Sequence, residues 1–306
     1  MNKILTSPSS FGQVGNEPVE LLIQNGYEVI NNPYGRKLTE DEVIELAGDC
    51  IGIVAGVEPL TQRVMDALPN LKCISRVGIG MDSVDLNYAA KKGIIVKNTP
   101  DGPTRAVAEL TLAMTLSLLR KIPQAHYDLK NKAWKKQVGN LILNKTIGVI
   151  GLGRIGKLVS QLFRGIGNPV IGYDPYADEA WASKHGVDLM DMETLLTKAD
   201  ILTIHVPANE DGSAVIGTSE IDLMKPGAFL INISRGGIVD EDALYNALAG
   251  KKLTGAAIDV FSTEPYSGPL CDLDNVVLTP HLGSYAEEGK LLMEIDAVKN
   301  IINALN

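Results

Sequence analysis

Thr146-Ile-Gly-Val-Ile-Gly151-Leu-Gly153-Arg154-Ile155-Gly156-Lys-Leu-Val-Ser-Gln-Leu-Phe163 is the stretch that decides the fold. An apolar β-rich run (Thr146–Ile150) meets a G-x-G-x-x-G turn, and Lys157–Phe163 continues with helical spacing. In a strand–turn–helix unit Gly151 makes the tight turn, Gly153 lets backbone approach a pyrophosphate, and Gly156 lets the helix pack on the strand. The helix start, from Arg154 and Ile155 onward, then offers its N–H groups and a positive dipole end to the diphosphate. Asp174, at the end of the next strand, is placed to accept from an adenosine ribose. No Lys or Arg follows it before Lys184, so the sequence predicts NAD in preference to NADP.

A lone glycine pattern is weak, and this chain contains decoys. Gly165-Ile-Gly167 precedes a strand instead of following one, and Gly78-Ile-Gly80 has Ser83 where the third glycine belongs. Only the motif at 151 has strand, helix and acidic residue in register. Its bland alternative is a ligand-free strand-to-helix turn.

Outward from that motif the chain alternates strand-like and helical patterns, which predicts parallel sheets. Downstream, Thr146–Ile150, Pro169–Tyr173, Ile201–Val206, Ala228–Ile233, Ala256–Val260 and Val276–Thr279 give six strands, a full dinucleotide fold. Upstream, Lys3–Ser7, Tyr27–Asn31, Cys50–Gly56, Leu71–Val77 and Ile94–Asn98 form a separate series. Thr39-Glu-Asp-Glu42 has capping-box spacing and Gly48 follows the last periodic residue, so a helix is expected over 40–47. The prediction is α/β: two Rossmann-like, doubly wound parallel-sheet domains with a cleft between them. Residues 1–100 with 286–306 form one domain and residues 101–285 the dinucleotide domain.

The 306 residues suit about two domains. With 45% hydrophobic and 21% charged residues the chain has an ordinary soluble composition. A net charge of −9 gives no global attraction for nucleic acid or an anionic membrane. Cys50, Cys73 and Cys271 are scattered and odd in number, which argues against a disulfide framework or a metal site and for reduced cytoplasmic thiols. The start of the chain has no apolar leader region, and the greasy stretch Ala106–Leu119 contains Glu109 and is too short for a membrane span. It reads as a buried helix.

Carbonyl chemistry with a nicotinamide needs a proton donor or acceptor, a cation for the substrate's anionic group and a partner for the acid–base residue. Of four histidines, His126 and His185 fall in polar segments, whereas His205 and His281 each follow a strand. Spacing alone leaves these two level. Arg235 follows Phe-Leu-Ile-Asn-Ile-Ser and precedes Gly236-Gly237, and Glu264 follows Ala-Ala-Ile-Asp-Val-Phe and precedes Pro265. A surface arginine and a solvated loop carboxylate are the plain alternatives.

Five motifs in order then carry a resemblance: Asn98-Thr-Pro to Glu109, the glycine motif, Ser234-Arg-Gly-Gly-Ile-Val-Asp240, Ile258-Asp-Val-Phe-Ser-Thr-Glu-Pro265 and Thr279-Pro-His-Leu-Gly283. Over nearly its whole length the chain resembles the D-isomer-specific 2-hydroxyacid dehydrogenases, most of all the phosphoglycerate dehydrogenase branch. The resemblance implies His281 as acid–base, Glu264 as its partner and Arg235 as the clamp on the substrate carboxylate. It places His205, Val206 and Pro207 along the cofactor, Asp259 near the nicotinamide carboxamide, and Gly283 in the cofactor site. It makes the first domain the substrate domain, with the N–H groups of Val77, Gly78 and Ile79 facing the carboxylate, and it implies a homodimer. Arg76, and with it Arg105, would meet a phosphate.

The sequence departs from the family at Asn144, at Ala286 where threonine is common, and at Arg105. Ser284-Tyr-Ala-Glu287 offers a substitute capping box for the last helix. The resulting expectation is an NAD-dependent oxidoreductase of a small D-2-hydroxy acid, with 3-phosphoglycerate leading and glyoxylate or hydroxypyruvate as alternatives. A formate dehydrogenase is disfavoured, because that branch has glutamine where this chain has Glu264. A non-catalytic NADH sensor of the same fold is the alternative from another class. No regulatory domain, and hence no serine feedback through one, is expected.

Overall fold

The structure, a computed structural model, describes residues 1–209 and 211–306. The chain divides into two units, one made of Met1–Ala106 and Ser284–Asn306, the other of Val107–Gly283. The divide falls inside the helix Asp101–Leu119, past the boundary expected at 100. A continuous helix crosses it, so no linker composition marks it.

The first unit holds β1 (Asn2–Thr6), β2 (Tyr27–Asn31), β3 (Cys50–Ala55), β4 (Cys73–Arg76) and β5 (Ile95–Asn98) in the all-parallel order β2-β1-β3-β4-β5. This is the flavodoxin-like doubly wound order. Val43, Val64, Met65 and Ala89 pack helices on one face of the sheet, and Leu22, Ala297, Val298 and Ile301 pack helices on the other. The predicted helix spans Glu40–Ala47, and its box closes with Thr39 N–H donating to Glu42 and Glu42 N–H donating to Thr39 Oγ1. The last helix begins at Glu287 with Ala286 at its cap and no side-chain cap bond, so the box expected at Ser284 does not form.

The second unit holds β6 (Ile147–Ile150), β7 (Val170–Tyr173), β8 (Val187–Leu189), β9 (Ile201–Ile204), β10 (Ala228–Asn232), β11 (Leu253–Ile258) and β12 (Val276–Leu278). They pair in parallel in the order β12-β11-β10-β9-β6-β7-β8. The two halves meet where β6 pairs with both β7 and β9, the switch point at which such sheets bind ligands beyond their C-terminal strand ends. The sheet has seven strands, one more than expected, because the short β8 offers too little alternation to be recognised. No described helix is long and apolar enough to cross a membrane.

Candidate active site

The glycine turn is fixed by contact. Gly151 sits at φ +89°, and a Cβ there would lie 2.4 Å from the His205 carbonyl oxygen. A Cβ on Gly156 would lie 1.8 Å from the Gly151 carbonyl oxygen, so this glycine is what lets the helix approach β6. Gly153 caps the helix Arg154–Gly165, and the space its missing Cβ would fill is open. The first intrahelical bond runs from Lys157 N–H to Gly153 O, so the N–H groups of the first turn stand at the helix's N-terminal end. An open glycine face over a helix N-terminus fits a diphosphate.

Asp174 follows β7 and ties this turn to its own loop, accepting from Leu152 N–H at 2.7 Å and Tyr176 N–H at 2.8 Å. Beside it lies a cavity of about 480 Å³ lined by Gly172, Asp174, Tyr176, Glu179, Met190 and Asp191, among others. Among the described residues, three carboxylates and no Lys or Arg line it. That lining fits a ribose with free hydroxyls and opposes a 2′-phosphate.

After β9, His205 N–H donates to Ile150 O at 2.7 Å, and Val206 approaches the Gly151 turn. His205 Nε2 lies 2.9 Å from Thr203 Oγ1, while its buried Nδ1 has no partner among the described residues. Burial pushes this imidazole down to about 3. The ring is therefore neutral at ordinary pH.

His281 has a different setting. Its Nδ1 lies 2.9 and 3.1 Å from the two oxygens of Glu264, and Phe261 N–H holds that carboxylate from behind at 3.1 Å. Both side chains keep substantial solvent contact. Arg235 stands on the neighbouring turn, which Asn232 knots by donating to Arg235 O and accepting from Ser234 N–H and Oγ. A Cβ on Gly236 would lie 1.9 Å from Phe261 O, so the turns after β10 and β11 touch.

Asp259 is fully buried. Oδ1 accepts from Thr279 Oγ1 at 2.5 Å and Leu282 N–H at 2.7 Å, and Oδ2 from Gly283 N–H at 2.8 Å. Desolvation raises this carboxyl above the usual range, partly offset by those donors. Spacing showed an acid after a strand but not that it faces inward onto the histidine loop. Thr203, Asn232 and Thr279 also escaped the sequence reading, because short polar residues at strand ends carry no signal without their partners.

In the first unit the Arg76 guanidinium lies against Gly78, with Nη1 2.7 Å from where a Cβ would be. The expectation for three N–H groups there needs correction. Val77 N–H donates to Ala55 O and Gly78 N–H to Thr99 Oγ1, because the β3–β4 ladder runs on past β4 and Thr99 folds back. Of the three, only the Ile79 N–H has no acceptor among the described residues. Arg105 lies on the exposed face of its helix.

Residues 112–283 match the family model described as D-isomer specific 2-hydroxyacid dehydrogenase, NAD binding domain. The chain is 38% identical over 295 residues to a D-3-phosphoglycerate dehydrogenase of Archaeoglobus fulgidus, covering 95% of this chain and 55% of that one. It is 43% identical over 258 residues to the protein of that name from Methanocaldococcus jannaschii, covering 83% and 49%. It thus spans about half the length of the curated relatives it matches. Among solved structures, D-lactate dehydrogenase from Aquifex aeolicus, complexed with NAD and lactic acid, aligns with a TM-score of 0.82 and 29% identity over 99% of this chain and 95% of that one.

Proposed function

The chain belongs to the D-isomer specific 2-hydroxyacid dehydrogenases, and we propose that it is an NAD-dependent oxidoreductase interconverting a small D-2-hydroxy acid and its 2-oxo counterpart. The observation that carries this is the His281–Glu264 contact of 2.9 Å on the same strand-end edge as the glycine cradle. When bound, NAD(H) supplies or takes up the hydride at C2.

The chain's own residues do the rest. Glu264 accepts the Nδ1 proton of His281 and fixes its ring, which leaves Nε2 to give a proton to the substrate oxygen or take one from it. Arg235 supplies a planar cation suited to two parallel bonds with a carboxylate. Gly151, Gly153, Arg154, Ile155 and Gly156 hold the diphosphate, Asp174 the ribose, and His205, Val206, Pro207 and Gly283 border the cofactor.

The substrate we favour is 3-phosphoglycerate, with glyoxylate or hydroxypyruvate next. The printed names of the relatives above support it, as does the Arg76 guanidinium over Gly78. Purified protein, NADH and a panel of 2-oxo acids test the activity. Loss of NADH absorbance with at least one acid is expected, whereas cofactor binding with no turnover on any acid indicates a sensor instead. Arg76→Ala should raise KM for the phosphorylated acid and spare KM for glyoxylate; equal effects would remove Arg76 from the phosphate role.

We also propose a homodimer formed through the segment after the long helix. Ile122, Tyr127, Leu129, Trp134, Val138, Leu141 and Leu143 are exposed there, Trp134 at 83% and Val138 at 85%. So dense an apolar display marks an association surface. Light scattering should give twice the chain mass, and Leu129→Glu with Trp134→Glu should halve it.

A further inference from the structure

We propose that Glu58 is a positioning residue that bridges the switch point of the first unit's sheet and so fixes the strand-end turns that face the 2-oxo acid. This rests on the reading of that unit as the one that binds the acid of the dehydrogenase reaction.

In the order β2-β1-β3-β4-β5 the switch point lies between β1 and β3. The chain leaves β1 for the helix Glu17–Gln24, whose Leu22 packs on one face of the sheet. It leaves β3 for the helix Gln62–Ala67, whose Val64 and Met65 pack on the other. Turns that part in this way open a crevice, the place where doubly wound sheets take a ligand. Here a carboxylate closes it. Glu58 is only 1% exposed, and it accepts Ser7 Oγ–H from the turn after β1 and Gly56 N–H from the turn after β3, the latter at 3.0 and 3.1 Å to its two oxygens.

Both anchors are fixed in their turn. Ser7 N–H donates to Val54 O at 3.0 Å, and Ser7 O accepts from Asn32 Nδ2 at 2.7 Å. A Cβ on Gly56 would lie 2.9 Å from Glu58 Oε2 and 3.3 Å from Pro8 Cα, so the two turns close tightly around the acid. The bridged turn also backs the next strand end, because Val77 N–H donates to Ala55 O at 2.8 Å, between Arg76 and Gly78 in the chain. Ile79 follows, with its carbonyl held by Asn98 Nδ2 at 2.9 Å. Glu58, buried and satisfied, acts on the acid only through this backbone.

Glu58→Ala and Glu58→Gln in the full-length protein test this, with the 2-oxo counterpart of 3-phosphoglycerate and glyoxylate as substrates. Alanine removes both acceptors. Glutamine can keep one oxygen on Gly56 N–H and donate its amide to Ser7 Oγ, whose proton then turns to Val54 O, 3.1 Å away. For alanine we expect KM for the acids raised about 10-fold, with kcat and the NADH Kd within about threefold of wild type. The Gly56 and Val77 amides should exchange with deuterium about 10-fold faster, while Leu202 and Thr203 in β9 keep their rates. Glutamine should restore KM and exchange together.

Wild-type KM and exchange in Glu58→Ala would overturn the bridge. So would a rise of KM in Glu58→Gln equal to that in alanine, which would mean that the charge itself acts on the acid. A parallel loss of kcat and NADH affinity would mark a merely structural role and overturn it too. Should Glu58→Ala fail to fold, Ser7→Ala removes the β1 anchor alone, and KM should rise about threefold; no change would again refute the bridge. If the wild type consumes no NADH with any acid, the dehydrogenase reading fails and this proposal with it. If the wild type turns over and Glu58→Ala matches it, only the positioning role falls.

Discussion

Lowering the pH from 7 to 5 should destabilise the dinucleotide unit through His205 specifically. The ring is held neutral in the folded protein, its pKa pushed from 6.5 down to about 3 by burial. The unfolded chain therefore binds the extra proton between those values, and stability rises with pH across that window. The penalty is small above pH 6.5, grows as the pH falls and levels off near pH 3. Per unit of pH the slope approaches about 1.36 kcal/mol, so at pH 5 it amounts to about 2 kcal/mol, against a few tenths at pH 7. Carboxylates add their own pH dependence, so the measurement is a double difference. Urea unfolding of wild type and His205→Gln is followed at both pH values, with the transition of this unit identified as the one that NADH shifts upward. Wild type should lose about 2 kcal/mol more than the variant on acidification. Equal losses in the two proteins would show that the ring titrates normally, and the argument for its neutrality would be wrong. The same neutrality bears on chemistry, since an imidazole that resists protonation until about pH 3 is a poor proton donor at neutral pH.

Three further outcomes are expected. His281→Ala should lower the rate by roughly 10² to 10⁴ while leaving NADH affinity nearly intact, as single-turnover and fluorescence titrations will show; the reverse pattern would move it out of the acid–base role. Gly156→Ala puts a methyl 1.8 Å from the Gly151 carbonyl oxygen, and calorimetry should show this unit destabilised by about 1–3 kcal/mol with NADH binding weakened. Asp174→Ala removes the acceptor that ties Leu152 and Tyr176 together as well as the proposed ribose partner. A charged hydrogen bond of about 1.5–3 kcal/mol corresponds to a loss of about 10- to 150-fold in NADH affinity, and the preference over NADPH should shrink with it.

The fold was readable where a local pattern also meets a global requirement. At 146–163 the apolar run, the glycines and the helical spacing all demand strand, turn and helix, and the structure has them. β8 escaped because Val187-Asp-Leu is too short to show a period, and its pairing with β7 appears only in three dimensions. The divide within the helix Asp101–Leu119 was displaced for a related reason, since helix propensity is continuous there while packing changes sides. Ser284 failed as a cap because the last helix starts only at Glu287, with Ala286 in the cap position.

The site shows a sharper limit. Asp259 and Glu264 are carboxylates on the same strand-end stretch, Ile-Asp-Val-Phe-Ser-Thr-Glu, and nothing in their type or spacing says which way each points. Burial decides. Glu264 keeps solvent contact and meets the His281 imidazole at 2.9 Å. Asp259 is fully buried, and among the described residues a hydroxyl and two backbone N–H groups of one loop replace its hydration. A buried carboxylate satisfied by backbone carries geometric information that must be maintained, because releasing any one donor leaves a desolvated polar group uncompensated. The loop that carries His281 in its left-handed conformation is thus tied to the acid after β11 through the Thr279 hydroxyl and the Leu282 and Gly283 N–H groups.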